Sequence, residues 1–358
     1  MAKSAIIVGG GIGGLAAALH LRARDWDVEV RERAAGLPRT GTALGIWPSA
    51  LHALDSIGVG ATVRTLGRAQ TGGGFVRADG SRIADVDVDA MERHHGDPMY
   101  LISRAPLLHA LAAPLEQDGA IRFGEQVTDV RELTGYDVVI AADGINSQAR
   151  TTLFGSEYGT RYTGVTSWRG IVDGDTSRVV ETWGTAARFG VTPHTAGRTN
   201  WFACVRAPEH APAPGGDLAT LRTRFGHWHP GVRRVLDELD NEGGAGVLRH
   251  DLHDLARPLP SYVSGHTALI GDAAHAMTPA LGRGACEALI DGVTLARALT
   301  THDAVGDALT AYDAQRRRTT QWMARASRLL NQLVHTPGAA PLRNAAMRVA
   351  LAVSRPPG

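Results

Sequence analysis

The rhythm of apolar and polar positions changes several times along the chain, and each change marks an element. Ala5-Ile6-Ile7-Val8 is a continuous apolar run rich in β-branched residues, the pattern of a parallel strand covered on both faces. Glycines follow at once. Leu15 to Arg24, dense in Ala and Leu, predicts a helix, and Asp27 to Glu32 alternates like a second strand, which completes a β-α-β unit. Pro48 to Ile57 predicts a short helix, because Leu51, Leu54 and Ile57 recur three apart. Phe75 to Ala84 predicts a hairpin turning at Asp79-Gly80, Tyr100 to Ser103 an extended segment and Ala105 to Glu116 a helix. Asp137 to Ala142 repeats the fully apolar, buried-strand pattern.

From about Gly164 to His253 the texture shifts to alternating, aromatic-containing segments around Trp168 to Val172, Val179 to Trp183, Arg188 to Thr192 and Asn200 to Arg206. These predict a mainly antiparallel sheet inserted as a second domain. The buried-strand pattern returns at Thr267 to Ile270, and helices are predicted over Gly284 to Leu299 and Ala308 to Leu333. The first domain therefore takes residues 1–70, 97–158 and 266–334, and the second 71–96 and 159–265. A linker from His335 to Pro341 and an Ala- and Arg-rich helix over Leu342 to Val353 make up 335–358, the helix being expected to dock rather than to enter a membrane.

Composition narrows the chemistry. At 358 residues the chain has room for two domains, and 44% apolar with 20% charged residues is ordinary for a globular protein. A formal net charge of +1 supplies no field to recruit nucleic acid or an anionic membrane. Lys3 is the only lysine, which excludes P-loop and Schiff-base chemistry. Two cysteines, Cys204 and Cys286, are too few for a disulfide scaffold or a Cys-based metal site; a cytoplasmic protein without a bound metal is expected. No apolar run reaches the ~20 residues of a membrane span.

Gly9-Gly10-Gly11-Ile12-Gly13-Gly14 satisfies GxGxxG between a strand and a helix, and Glu32 lies 18 residues beyond Gly14, where a carboxylate can accept ribose hydroxyls. This predicts a dinucleotide site and leaves NAD and FAD open. Two further motifs follow. Asp143-Gly144-Ile145-Asn146-Ser147-Gln148-Ala149-Arg150 reads DGxxSxxR, and Gly271-Asp272-Ala273-Ala274-His275 reads GDAAH, followed by Pro279, Gly282 and Gly284.

With Gly9, Gly11 and Gly14, these motifs resemble the single-component FAD-dependent aromatic hydroxylases of the para-hydroxybenzoate hydroxylase fold, with the closest likeness to the salicylate hydroxylase, FAD-dependent urate hydroxylase and zeaxanthin epoxidase group. The resemblance runs from Ser4 to about Arg316. It implies an α/β fold: a Rossmann-like FAD-binding domain, an inserted antiparallel substrate domain and C-terminal helices. It also implies a monooxygenase that uses NADPH or NADH as a transient co-substrate, and O2, to hydroxylate or epoxidise a small aromatic, heteroaromatic or polyene-like compound through a flavin C4a-hydroperoxide. The alternative is a flavin-dependent reductase or dehydrogenase of the same fold without oxygen insertion. A single GxGxxG disfavours the two-fingerprint Baeyer–Villiger enzymes. A monomer or homodimer is expected.

The resemblance places FAD against Gly9, Gly11, Ile12, Gly13, Gly14, Glu32, Arg33, Gly45, Arg104, Val127, Asp143, Asp272, Gly282, Gly284 and Ala285. Pro279 matches a proline packed at the flavin edge near the substrate. Arg206 shares a strand face with Asn200, Phe202 and Cys204, where it could anchor a substrate anion. Arg188 and His194 are weaker candidates, expected as exposed strand residues, and Trp168 is expected in the core. His275 is expected to make a structural hydrogen bond, and Cys286 to be a buried, inert thiol. Two departures from the family pattern stand out. Only Asp129 to Tyr136 fills the place of an antiparallel excursion between the strand near Val127 and the one leading to Asp143. Arg283 replaces a usual Gln, which is expected to add positive charge beside the flavin.

Overall fold

The computed structural model describes residues 2–39, 41–86, 92–93, 95–338, 340–341 and 343–345. The chain divides into two compact units. The first takes residues 1–65, 103–161 and 253–328, and the second 66–102, 162–252 and 329–358.

The first unit is built on a six-stranded sheet in the order Val263–Ser264, Thr267–Leu269, Val138–Ala141, Ser4–Val8, Asp27–Glu32, Ile121–Phe123. Every pairing but the first is parallel, with Ile7 opposite Val30 on one side and Ile140 on the other. Ala5, Ile6, Ile7 and all four residues of Val138–Ala141 are fully buried, as a sheet covered on both faces requires. Two helices, Ile12–Arg22 and Gly284–Thr301, cross at contact distance. Glycine permits that approach: a Cβ on Gly13 would meet the Ala288 carbonyl oxygen at 2.6 Å, and one on Gly292 the Gly13 carbonyl oxygen at 2.2 Å. From Ser4–Val8 the chain passes to Asp27–Glu32 on one side and later to Val138–Ala141 on the other, which creates a switch point between the two inner strands.

In the second unit a seven-stranded sheet runs Leu248–Leu255, Thr160–Asp173, Arg198–Arg206, Ala187–Pro193, Val179–Trp183, Gly73–Arg77, Arg82–Val86. It is antiparallel where Ala187–Pro193 meets its neighbours and parallel between Val179–Trp183 and Gly73–Arg77. The pleat separates two faces. Phe189, Val191, Trp201, Ala203 and Val205 join Trp168 in a core with Phe225, Trp228, Val232, Val235, Leu236 and Leu239. Those last six belong to or adjoin two helices, Gly216–Phe225 and Pro230–Asn241, which were not foreseen within the stretch expected to be mainly antiparallel sheet. Val232, Val235, Leu236 and Leu239 recur at helical spacing, and that 3.6-residue stripe overrides the surrounding strand texture. Phe189 and Trp201 stack at 5.7 Å between centroids.

The expected hairpin turns at Asp79-Gly80, where Gly80 takes φ +87° and the Ser81 amide donates to Asp79 Oδ1. Val127 lies in no strand, the nearby one being Ile121–Phe123, and the short stretch after it holds a single 3-10 turn, Val130–Glu132, capped by Asp129. The last long helix runs Val305–His335, so the expected linker begins inside it. Most of the helix expected over Leu342 to Val353 lies outside the described residues.

Candidate active site

Because its central strands are parallel, the first unit gathers their C-terminal ends on one edge, and the three sequence motifs follow from three of those ends. Gly9 continues Ser4–Val8 with φ +109°, and a Cβ there would meet the Ala142 carbonyl oxygen of the neighbouring strand at 2.4 Å. Gly14 lies 2.3 Å, at its would-be Cβ, from the Gly9 carbonyl oxygen. Gly11 differs: nothing lies within 4 Å of a Cβ there. It is the N-cap of Ile12–Arg22 and supplies no capping side chain, so the helix end faces open space with its first amides uncapped. That is a cradle for an anion, strengthened by the helix dipole.

Glu32 ends the second strand. Its Oε2 accepts from the Gly10 amide at 2.7 Å and its Oε1 from the Ala34 amide at 2.8 Å. The carboxylate thus holds the glycine turn, and each oxygen keeps a second lone pair able to accept a further hydrogen bond. Arg33 beside it is exposed.

Asp143 follows Val138–Ala141. Its Oδ2 accepts from the Ala149 amide at 3.1 Å, while Oδ1 is buried with no hydrogen-bond partner. An unpartnered buried carboxylate oxygen is costly, and this one is able to accept a hydrogen bond. Ser147 caps the next helix through the Arg150 amide. The Arg150 side chain, 1% exposed, donates to the carbonyls of Ile145, Asp272 and Ala273 at 2.6, 3.2 and 3.1 Å. It therefore ties the Asp143 turn to the Asp272 turn. Arg150 was absent from the expected cofactor residues, because DGxxSxxR gives no hint that its arginine turns inward.

Asp272 starts a one-turn helix, Asp272–His275, after Gly271 at φ +58°. Its carboxylate takes no hydrogen bond from the described residues, and burial raises its pKa against the pull of His275, Arg104 and Arg150. Arg104 is exposed, and its backbone amide donates to the Thr42 carbonyl. Behind the turn, His275 Nε2 lies 2.5 Å from Asp291 Oδ2. Burial alone would lower the pKa of His275, and the Asp291 carboxylate outweighs it and holds it above the ordinary value.

Gly282 adopts φ +63° and accepts from Trp47 Nε1 through its carbonyl at 3.2 Å. Gly284 and Ala285 open the helix Gly284–Thr301, with open space beside Gly284. Gly45 accepts from the Cys286 thiol at 3.2 Å. Cys286 is fully buried, and burial pushes its thiol up to about 11. Arg283, expected to add positive charge beside the flavin, is 7% exposed and paired with Glu287 at 3.0 Å, a carboxylate it shares with Arg316. Pro279 is exposed at the start of a 3-10 turn, and Val127 is half-buried.

In the second unit Arg206 is exposed at the end of its strand. Arg188 and His194, expected outside, are buried at 2% and 6%. Arg188 is tolerated there because Glu181 pairs with it at 3.1 Å and Phe202 lies 5.2 Å under its guanidinium. Among the described residues no helix is long and apolar enough to cross a membrane, and no group of three His, Cys, Asp or Glu is placed to hold a metal.

Comparison with known proteins shows the family. The FAD binding domain family model matches residues 2–210 and 248–327. The aurachin C monooxygenase/isomerase of Stigmatella aurantiaca is 35% identical over 328 residues, 87% of this chain and 84% of that one. The 3-amino-4-hydroxybenzoate 2-monooxygenase of Streptomyces cremeus is 33% identical over 356 residues, 92% of this chain and 87% of that one. The crystal structure of Klebsiella pneumoniae HpxO with FAD and uric acid superposes with a TM-score of 0.88 at 27% identity, covering 98% of this chain and 92% of that one. The chain belongs to the FAD-binding-domain family of flavoprotein hydroxylases with the para-hydroxybenzoate hydroxylase fold.

Proposed function

We propose that this FAD-dependent monooxygenase uses NADPH or NADH and O2 to oxygenate a small, electron-rich aromatic or heteroaromatic compound, with cofactor binding assigned to the first unit and substrate recognition to the second. The observation that carries the cofactor assignment is the trio of open polar groups on one sheet edge: the uncapped helix end over Gly11, the buried and unpartnered Asp143 Oδ1, and the free Asp272 carboxylate. An anion at the helix end and hydroxyls at the two carboxylates are the groups that a dinucleotide carries.

Gly9, Gly11, Ile12, Gly13 and Gly14 would hold the pyrophosphate, and Glu32 with Arg33 the adenosine half. Arg104, Asp143 and Asp272 would hold the sugar chain, and Gly45, Val127, Gly282, Gly284 and Ala285 the remaining contacts. Bound FAD supplies the acceptance of a hydride from the nicotinamide and the activation of oxygen. The start of Gly284–Thr301 contributes a partial positive charge, about 0.3–1 kcal/mol in favour of a neighbouring anion. Arg206 is the residue assigned to the substrate, and Pro279 is assigned to the flavin edge. The relatives' ring substrates, urate and an aminohydroxybenzoate, support that class. We place the protein in the cytoplasm as a monomer or homodimer, consistent with two free, buried cysteines.

The test is a screen of hydroxylated aromatics and purine-like heteroaromatics for stimulated NAD(P)H consumption under labelled O2. One labelled oxygen atom in the product is expected. A reduced or dehydrogenated product without label would refute oxygen insertion.

A further inference from the structure

Five ionisable side chains lie buried behind the two turns. We propose that His275, Asp291, Arg316, Glu287 and Arg283 form a positioning network that fixes the Gly271-Asp272 turn against the Gly282-Arg283-Gly284 turn, and thereby sets flavin affinity and redox potential. This rests on the FAD reading above.

The contacts run without a break. Asp291 Oδ2 accepts from the Gly271 amide at 2.9 Å and meets His275 Nε2 at 2.5 Å, so it grips the chain on both sides of Asp272. Its Oδ1 takes Arg316 Nε at 2.6 Å. Arg316 Nη2 donates to Glu287 Oε2, also at 2.6 Å. Glu287 Oε1 takes Arg283 Nε at 3.0 Å, and Arg283 Nη2 reaches Ser49 Oγ at 3.1 Å. The Arg283 guanidinium lies 5.5 Å over the Trp47 ring, whose Nε1 donates to the Gly282 carbonyl. None of the five is more than 7% exposed.

Stability alone is a poor reason for such a chain, because buried ion pairs gain little over apolar packing once desolvation is counted. Geometry is a better one. Glu287 and Asp291 are one turn apart on Gly284–Thr301, and Arg316 spans both carboxylates. A forked guanidinium fixes the angle between its partners as an ammonium cannot. The two ends of the chain are the two turns assigned to the flavin. None of the five side chains is assigned a contact with it, so each acts through those turns.

The test compares wild type with Arg283→Gln, Arg283→Lys and Arg316→Met. Apoprotein is titrated with FAD to obtain Kd, the flavin midpoint potential is measured, and unfolding of the apoprotein is followed in urea. Arg283→Gln leaves the Arg316–Glu287 and Arg316–Asp291 pairs in place. It is expected to weaken FAD binding roughly tenfold, the lower end for outer-shell partners, and to shift the midpoint potential. Arg283→Lys recovers only part of the loss. Arg316→Met gives the larger effect; if it fails to fold, Arg283→Gln decides alone. Wild-type Kd and potential in Arg283→Gln would overturn the proposal. A wild-type protein that takes up no FAD would defeat the FAD reading, and the network's role with it.

Discussion

Gly11 and Gly14 sit three residues apart in one turn, yet alanine at each should fail in opposite ways. At Gly14 the new Cβ would start 2.3 Å from the Gly9 carbonyl oxygen and 3.1 Å from both Ala142 Cβ and Ile7 Cγ2. Reaching an ordinary contact distance requires a shift of roughly 1 Å in packed backbone. Overpacking of this kind costs about 1–3 kcal/mol. The helix-propensity gain of alanine returns about 0.5–1 kcal/mol, which leaves a net loss of about 0.5–2 kcal/mol. At Gly11 nothing lies within 4 Å, and φ −80° with ψ 178° suits alanine without strain. The loss of a good N-cap is offset by the reduced entropy of the unfolded chain, each a few tenths to about 1 kcal/mol, so apoprotein stability stays level. The added methyl instead occupies the space through which an anion approaches the helix amides. Charge-assisted hydrogen bonds are worth about 1.5–3 kcal/mol each, so disturbing one weakens FAD by roughly 10- to 100-fold. Urea unfolding of the apoprotein and fluorescence titration with FAD read the two quantities separately. Unchanged FAD affinity in Gly11→Ala, or unchanged apoprotein stability in Gly14→Ala, would refute the assignment of that glycine.

Asp272→Ala should weaken FAD retention by roughly tenfold or more, one charged hydrogen bond's worth; flavin content equal to wild type after gel filtration would remove the carboxylate from the site. His20 is buried with both ring nitrogens unpartnered, and burial, with Arg24 and Arg297 nearby, lowers its pKa from 6.5 to about 4. The unfolded chain then binds the extra proton between those values, so the neutral ring's stability is present above pH 6.5 and lost as pH falls toward about 4. His20→Leu should flatten that part of the stability profile by a few kcal/mol at most, at about 1.4 kcal/mol per unit; an unchanged slope in urea melts across this range would show that His20 does not titrate as described. Cys204 and Cys286 should resist iodoacetamide in the native protein and react after denaturation, read by intact mass. Rapid native labelling would contradict their burial.

What the sequence revealed divides along physical lines. Continuous apolar runs at Ala5 to Val8 and Val138 to Ala141 announce strands because both faces of a parallel sheet must be covered, and the glycine spacing announces the turn between strand and helix. The strand at Val179 to Trp183 is present as expected, although its adjacent residues Thr182 and Trp183, on opposite faces, are both buried. The two helices within the second sheet's segment went unseen for different reasons. Pro230–Asn241 carries a clear apolar stripe that the neighbouring strand texture obscured, whereas Gly216–Phe225 buries only Leu221 and Phe225 and shows little periodicity. Long-range partners lay beyond the reach of local pattern. Arg150 is indistinguishable in sequence from a surface arginine, and its three carbonyl contacts lie up to 123 residues away. The pairing of Arg188 with Glu181 and the enclosure of Arg283 by Glu287 likewise depend on which face the sheet and helix turn inward. Substrate recognition stayed faint for the same reason, as Arg206 is set apart only by its place at a strand end.

The central claim is that the edge formed by Gly9 to Gly14, Asp143 and Asp272 is an FAD site. The most direct measurement is the visible absorption spectrum of the purified protein, before and after incubation with FAD and removal of the excess. Oxidised-flavin bands that remain with the protein, and bleach when NADPH or NADH is added with a turnover substrate in the absence of oxygen, are the predicted result. A protein that stays colourless after reconstitution while folded would contradict the account at its foundation.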